Sequence, residues 1–161
     1  MGEGGAETLV EATLEDPRWE AFGLEALAER VARAALEGAG IDPEGCEIGL
    51  LAADDARIAA LNAEFRGKPA PTNVLSWPSG ETEADPDGVR FLGDVALAFE
   101  TCMAEAAAGG IAPADHVTHL VAHGVLHLVG FDHELEAEAD AMEALETKIL
   151  ARLGVADPYS G

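Results

Sequence analysis

The sequence predicts a single α+β domain with one small, mostly four-stranded mixed sheet packed against about five helices. The chain has 161 residues, of which 48% are hydrophobic, and this is enough to bury one continuous core. Strand-like and helix-like segments follow one another as strand, helix, strand, helix, two strands and then helices. No repeat or long linker divides the chain. We therefore expect residues 1–161 to form one domain, with 1–7 and 155–161 flexible.

The elements of the first half follow from periodicity and from residues typical of helix ends. Asp16 before Pro17 is typical of a helix start, and Gly38 is typical of a helix end. Asp54 or Asp55 can cap a second helix. We therefore expect a strand over 9–14, a helix over 16–36, a strand over 46–52 and a helix ending at 65.

The second half contains two more strands and three more helices. Pro78 stops the third strand, and the Gly-, Asp-, Glu- and Pro-rich segment 79–90 predicts an exposed loop. Gly109 and Gly110 follow a short alanine-rich helix, and Pro113 opens the next helix. The expected elements are strands over 74–77 and 94–99, a helix ending at 108, a histidine-bearing helix from 113 and a last helix over 134–153.

The apolar runs, the N-terminal residues and the cysteines predict neither a membrane-spanning nor a secreted protein. No apolar run reaches the ~20 residues needed to cross a bilayer, and the N-terminal residues lack the features of a secretory signal. Cys46 and Cys102 are far apart in the sequence and form neither a disulfide framework nor a CxxC site. We therefore expect a cytoplasmic protein with two buried free thiols and no membrane partner.

The charge of the chain argues against a nucleic-acid partner at first sight. Nine basic and 31 acidic residues give a net charge of −22, and phosphate backbones bind to positive surfaces. The segment 57–79 differs from the rest, because it holds Arg57, Arg66 and Lys68 against the single acid Glu64. This segment is either a less negative patch of an otherwise acidic, solvated surface, or a place where an anion binds.

Residues 123–133, HGVLHLVGFDH, have the pattern of a metal site. His123 and His127 are four residues apart, so in a helix their rings lie one turn apart on one face. Gly130 can end that helix and allow the chain to bring His133 to the same point. Three neutral imidazoles with one open position are the ligand set of a catalytic zinc. The pattern predicts a zincin-like helix with one Zn²⁺, or another divalent ion, held by these three histidines.

Two further histidines lie on the same line of the predicted helix. His119 and His123 have the same spacing as His123 and His127, but no later residue then completes the site easily. We therefore expect His116 and His119 to lie at the surface or behind the ligands.

The predicted metal site alone does not identify the chemical class of the substrate. A divalent ion held by neutral ligands can lower the pKa of a bound water from ~15.7 to about 7, which suits attack on a carbonyl, an amidine or a phosphodiester. Metzincin proteases share the histidine spacing, but a glutamate follows their first histidine as the general base. Gly124 occupies that position here, which weakens the peptidase interpretation. A phosphate substrate needs a cation beside the metal, and Arg66 is the best candidate. The alternative is an exposed arginine at a helix C-terminus.

Three blocks of sequence resemble the YbeY family of bacterial endoribonucleases. Residues 123–133 resemble the family signature H-G-x-L-H-L-x-G-[YF]-D-H. Residues 61–78, LNAEFRGKPAPTNVLSWP, are similar to L-N-x-x-[YF]-R-x-x-x-x-P-T-[DN]-V-L-S-F-P, with Trp77 in place of the usual phenylalanine. Residues 92–95, LGDV, resemble L-G-D-I. The resemblance covers roughly residues 48–150.

The resemblance implies a metal-dependent, single-strand-specific endoribonuclease. Such an enzyme acts in ribosomal RNA processing, including the 3′ end of the 16S RNA of the small ribosomal subunit, and in ribosome quality control. It implies that His123, His127 and His133 hold the metal, usually taken as zinc, and that Arg66 is a functional residue. The catalytic candidates are therefore Arg66 and two of the metal ligands, His123 and His127. Asn73 either shapes the groove or supports a turn.

The acidity of the chain does not explain how the protein would bind RNA. We infer a nuclease that is weak alone and reaches its substrate through a ribosomal protein or an assembly GTPase. Two alternatives remain: a ribosome assembly factor whose metal stabilises the fold without much catalysis, and a zinc-dependent peptidase or amidase.

Overall fold

Four strands form one mixed sheet in the computed structural model, which describes residues 9–80, 86, 88–131, 136–156 and 158. Six helices surround the sheet in this part of the chain. The α+β prediction is confirmed. The elements are β1 (Val10–Leu14), α1 (Arg18–Phe22), α2 (Leu24–Gly38), β2 (Cys46–Ala53), α3 (Asp55–Arg66), β3 (Val74–Pro78), β4 (Arg90–Ala98), α4 (Phe99–Gly109), α5 (Pro113–Leu128) and α6 (Glu136–Arg152).

The strand order is β1-β2-β4-β3, with β3 at one edge. β1, β2 and β4 are parallel, and β3 runs antiparallel to β4. The parallel pairs are joined through helices, as crossover connections require. The chain passes directly from β3 to β4 through a connection that begins after Pro78, so these two strands pair as neighbours in the sequence.

The two faces of the sheet bury different clusters. Side chains of β4 alternate between the faces, so Val95 and Leu97 join the main core while Ala96 and Ala98 join a smaller cluster. Helices α2 and α5 supply the main core. Helix α3 supplies Ile58 to the smaller cluster. The histidine helix α5 and the arginine-bearing helix α3 therefore lie on opposite faces of the sheet.

Two predicted boundaries were wrong. The helix expected over 16–36 is divided at Gly23, whose φ of 80° ends α1 and starts α2 in a new direction. Apolar periodicity continues across this break, which is why the sequence suggested one helix. The strand expected over 94–99 begins at Arg90, because a register shift lets residues before Gly93 pair with β2. The shift interrupts the period-two pattern, and Phe99 belongs to α4 instead.

The choice between two caps for α3 is resolved by hydrogen bonds. The Asp54 carboxylate accepts from the backbone N–H of Arg57 at 2.8 Å and is the N-cap. Asp55 instead accepts from the backbone N–H and the hydroxyl of Thr101, and its own N–H donates to Glu100. Each helix start therefore caps the other, which fixes α3 against α4.

The two cysteines are free thiols in different environments. Cys102 is buried, and burial raises its pKa to about 12. Cys46 is only half-buried, so the expectation of two buried thiols is confirmed for Cys102 alone. Within the described residues, no helix combines the length and the apolar character needed to cross a membrane.

Gly124 allows α5 to approach the sheet closely. A Cβ atom at this position would lie 3.0 Å and 3.3 Å from the two methyl groups of Val95, and 3.5 Å from a methyl group of Val74. The position that carries the general base in metzincins is therefore a helix–sheet contact in this chain.

We expect Gly124→Leu to lower the free energy of unfolding by ~1–3 kcal/mol, because the added side chain overpacks this contact. Urea denaturation measures the change. Gly124→Ala should lose less, since the higher helix propensity of alanine, about 1 kcal/mol, offsets part of the crowding. Ala107→Leu, at an exposed position of α4, is the matched control. A leucine variant at 124 as stable as this control would contradict the packing argument.

Candidate metal centre

The histidine line is the accessible side of a helix that is otherwise buried. From His116 to Leu128 the four histidines are partly exposed, and every other residue is buried. Gly130, with a φ of 103°, follows the helix, and the Phe131 N–H returns to the Leu126 carbonyl at 3.1 Å. The predicted helix and the turn after it are therefore confirmed.

His123 and His127 converge through equivalent nitrogens. The Nε2 atom of His123 lies 3.2 Å from the Nε2 atom of His127. Two nitrogens at the usual Zn–N distance of about 2.0–2.1 Å and at tetrahedral angles lie roughly 3.3 Å apart. The spacing of these two atoms therefore fits a pair of ligands on one zinc ion.

The third predicted ligand, His133, lies outside the described residues. Among the residues that are described, no three His, Cys, Asp or Glu side chains are grouped so that they could hold a metal. The described residues therefore supply two converging imidazoles of the three that were predicted. The three-histidine ligand set stays a prediction.

A buried carboxylate lies behind the histidine pair. Glu146 of α6 is wholly buried. One carboxylate oxygen lies 2.8 Å from His123 Nδ1, and the other lies 2.8 Å from His119 Nε2. His119 and His123 therefore both bond to this carboxylate. His119 directs its Nε2 atom to the carboxylate, whereas His123 uses Nδ1 there and directs Nε2 to His127.

Glu146 was not among the predicted site residues, although its spacing was informative. Glu146 lies four residues after Met142 and three and four before Ile149 and Leu150. These three residues are buried, so residue 146 belongs to the inner stripe of α6. A carboxylate on an apolar stripe needs a buried donor, and the histidine line was the available set of donors.

His116 belongs to a separate group of contacts at the start of α5. Its Nε2 atom lies 2.9 Å from a Glu105 carboxylate oxygen, which also accepts from the Asn73 amide at 3.0 Å. The Asn73 side-chain oxygen accepts from the Val74 N–H, and its backbone carbonyl accepts from the Ala98 N–H. These contacts support the structural role of Asn73 at the turn before β3.

Arg66 is the exposed last residue of α3. Gly67, in the left-handed conformation, ends the helix, and the chain then returns to the edge strand β3. Within the described part of the chain, no hydrogen bond or ion pair holds the guanidinium, and none joins it to the histidines. The predicted arginine is therefore accessible, and its approach to a metal-bound substrate stays a prediction.

Comparisons with known proteins agree on one family. The family model described as Endoribonuclease YbeY matches residues 10–154. Three curated relatives named Endoribonuclease YbeY are similar over nearly their whole length. The protein from Ruegeria pomeroyi is 54% identical, covering 94% of this chain and 98% of its own. Those from Jannaschia sp. and Cereibacter sphaeroides are 51% and 53% identical, covering 93% and 95% of this chain and 99% of each relative.

A solved structure supports the fold. The solution structure of TM1509 from Thermotoga maritima superposes with a TM-score of 0.56, covering 94% of this chain and 99% of that one. The sequence identity is 20%, so this likeness concerns the fold alone.

We expect zinc to raise the melting temperature of the metal-free protein. A ligand that binds only the folded state at 100 times its Kd adds about 2.7 kcal/mol, or roughly 5–10 °C for a chain of this size. His127→Ala should remove most of this shift. His116→Ala is the matched control, because His116 lies on the same helix as His127 but bonds to Glu105 of α4 and should keep the shift. Differential scanning fluorimetry with and without zinc measures it, and equal shifts in both variants would refute the pairing of His123 with His127.

Proposed function

Because the chain belongs to the YbeY family of endoribonucleases, we propose that it cleaves single-stranded segments of ribosomal RNA in the cytoplasm. The proposed sites include the 3′ end of the RNA of the small ribosomal subunit, and the same activity would serve ribosome quality control. The observation that carries the proposal is the 3.2 Å approach of the His123 and His127 Nε2 atoms beside an accessible helix face.

We propose that His123, His127 and His133 hold one zinc ion. The ion supplies Lewis acidity for a phosphodiester bond when it is bound. The described residues contribute orientation, because helix α5 fixes two imidazoles one turn apart and Glu146 holds one of them from behind. The peptidase alternative loses support, since Gly124 packs against Val95 and leaves no place for a metzincin-type base at that position.

Arg66 is the proposed phosphate ligand. A guanidinium offers a planar fork of donors that matches two phosphate oxygens. Arg66 is exposed and has no acidic partner among the described residues, so its donors are available to a substrate. Lys68 adds a second exposed positive charge two residues later.

An aromatic pair lies beside these cations. Phe65 is 59% exposed, and its ring meets that of Trp77 edge to face, with 5.7 Å between the ring centroids. Unstacked bases of single-stranded RNA bind to such rings, whereas paired bases keep their faces hidden. Asp94 is exposed opposite Trp77 on β4 and can accept hydrogen bonds from base amino groups. The surface formed by Phe65, Arg66, Lys68 and Trp77, here called the RNA surface, therefore fits a single strand.

The overall charge limits affinity for free RNA. A chain with a net charge of −22 repels a phosphate backbone except near local cations. The RNA surface is small, so we propose that a ribosomal protein or an assembly GTPase brings the enzyme to the small subunit. This also accounts for an acidic protein acting on RNA.

We expect Arg66→Ala to lower cleavage of single-stranded RNA by ~10²–10³-fold, the usual effect of removing a donor to a developing oxyanion. Arg66→Lys should recover only part, because an ammonium lacks the fork. Lys68→Ala is the matched control and should lose much less. The melting temperature should stay unchanged, since the residue is exposed.

These outcomes separate the nuclease from the assembly-factor alternative. If the metal only stabilises the fold, the wild-type protein should not cleave RNA, and the Arg66→Ala substitution should change nothing in the cleavage assay. Full cleavage by Arg66→Ala would remove Arg66 from the mechanism.

Tryptophan fluorescence tests the RNA surface directly. The chain has two tryptophans, and Trp19 is wholly buried with its indole N–H bonded to the Ala53 carbonyl. A single-stranded oligonucleotide should therefore quench the fluorescence of Trp77 and leave that of Trp19 unchanged. We expect Trp77→Phe to abolish the quenching and Phe65→Ala to weaken binding about tenfold. Equal quenching in Trp77→Phe would place the RNA elsewhere.

A further inference from the structure

We infer that Glu146 is a positioning residue that sets which nitrogen of His123 faces the metal. The inference rests on the proposed metal site, but it concerns a side chain on α6 that the histidine motif does not contain. It explains why a carboxylate is buried between the last helix and the histidine helix.

The hydrogen bond between His123 and Glu146 fixes the tautomer of the His123 imidazole. A carboxylate has only acceptors, so the short contact requires His123 Nδ1 to carry the hydrogen and donate it to Glu146. In the neutral ring the Nε2 atom then carries no hydrogen and presents its lone pair. That is the atom that lies 3.2 Å from His127 Nε2. Glu146 therefore selects the tautomer in which His123 presents a metal-ligating nitrogen beside the partner nitrogen.

His119 anchors the carboxylate. Its Nε2 atom lies 2.8 Å from one oxygen of Glu146, while the other oxygen faces His123. With both oxygens engaged by rings on the same face of α5, the carboxylate cannot rotate freely. His119 therefore holds Glu146 in place. The histidines of α5 accordingly have two roles: His123 and His127 are proposed ligands, and His119 supports the carboxylate behind them.

Burial indicates that the carboxylate is not there for stability alone. Glu146 is wholly buried, and its neighbours on the inner stripe of α6 include Met142, Ile149 and Leu150. Taking a charged group out of water costs several kcal/mol, and a well-packed apolar residue in such a place is often as stable or more stable. A carboxylate behind a ligating imidazole is instead the usual means of orienting that ligand.

The test compares Glu146→Gln with Glu143→Gln, the same change at an exposed position of α6. Zinc affinity is measured by competition with a chelator, and the cobalt-substituted protein gives an absorption spectrum that reports ligand geometry. We expect Glu146→Gln to bind zinc 10–100-fold more weakly and to change the cobalt spectrum. Glu143→Gln should match the wild type in both measurements.

Two outcomes would overturn the inference. One is unchanged zinc affinity and an unchanged cobalt spectrum in Glu146→Gln, even if its melting temperature falls, because the carboxylate then serves stability only. The other concerns His119→Gln, the second variant, used if Glu146→Gln does not fold. It should show a smaller loss of affinity, and wild-type affinity would refute the anchoring. Neither measurement contains RNA, so failure here is distinguishable from failure of the nuclease function.

Discussion

The structure depends on how α5 is held between the sheet and α6. On the sheet side, Gly124 brings the helix against Val95 closely enough that no larger residue fits without movement. On the other side, Glu146 receives the imidazoles of His119 and His123. These contacts fix the rotation of the helix about its axis. The remaining open strip of α5 carries the histidines, so the packing that stabilises the fold also aims the candidate ligands.

The two parts of the proposed active site belong to opposite faces of the sheet. Helix α5 packs against the main core, while α3, which ends at Arg66, covers the smaller cluster. The edge strand β3 is shared, because Val74 packs toward α5 and Trp77 toward α3. In the proposed complex, a single RNA strand that crosses this edge would meet the RNA surface on one side and the histidines on the other. Such an arrangement favours an extended, unpaired substrate over a rigid duplex.

Much of the fold and of the histidine helix could be predicted from the sequence, because local patterns determine them. The four-residue spacing of the histidines, Pro113 at the start and Gly130 after the end were sufficient to place α5. Predictions failed where a local pattern continued through a change in geometry. Apolar periodicity runs through Gly23, although its backbone ends one helix and begins another. The Asp54–Asp55 choice needed the position of α4, whose Thr101 engages Asp55.

Sequence alone predicted the family, the α+β order of elements, the histidine helix with its His123–His127 pair, and the exposed arginine. Each depends on residues close together in the chain, whose spacing fixes their relation through helix and strand geometry. The packing role of Gly124 and the support of His123 by Glu146 became known from the folded structure alone. These depend on contacts between segments more than twenty residues apart. Local spacing places residue 146 on the inner stripe of α6, but only the packing of α6 against α5 identifies His119 and His123 as the partners of its carboxylate.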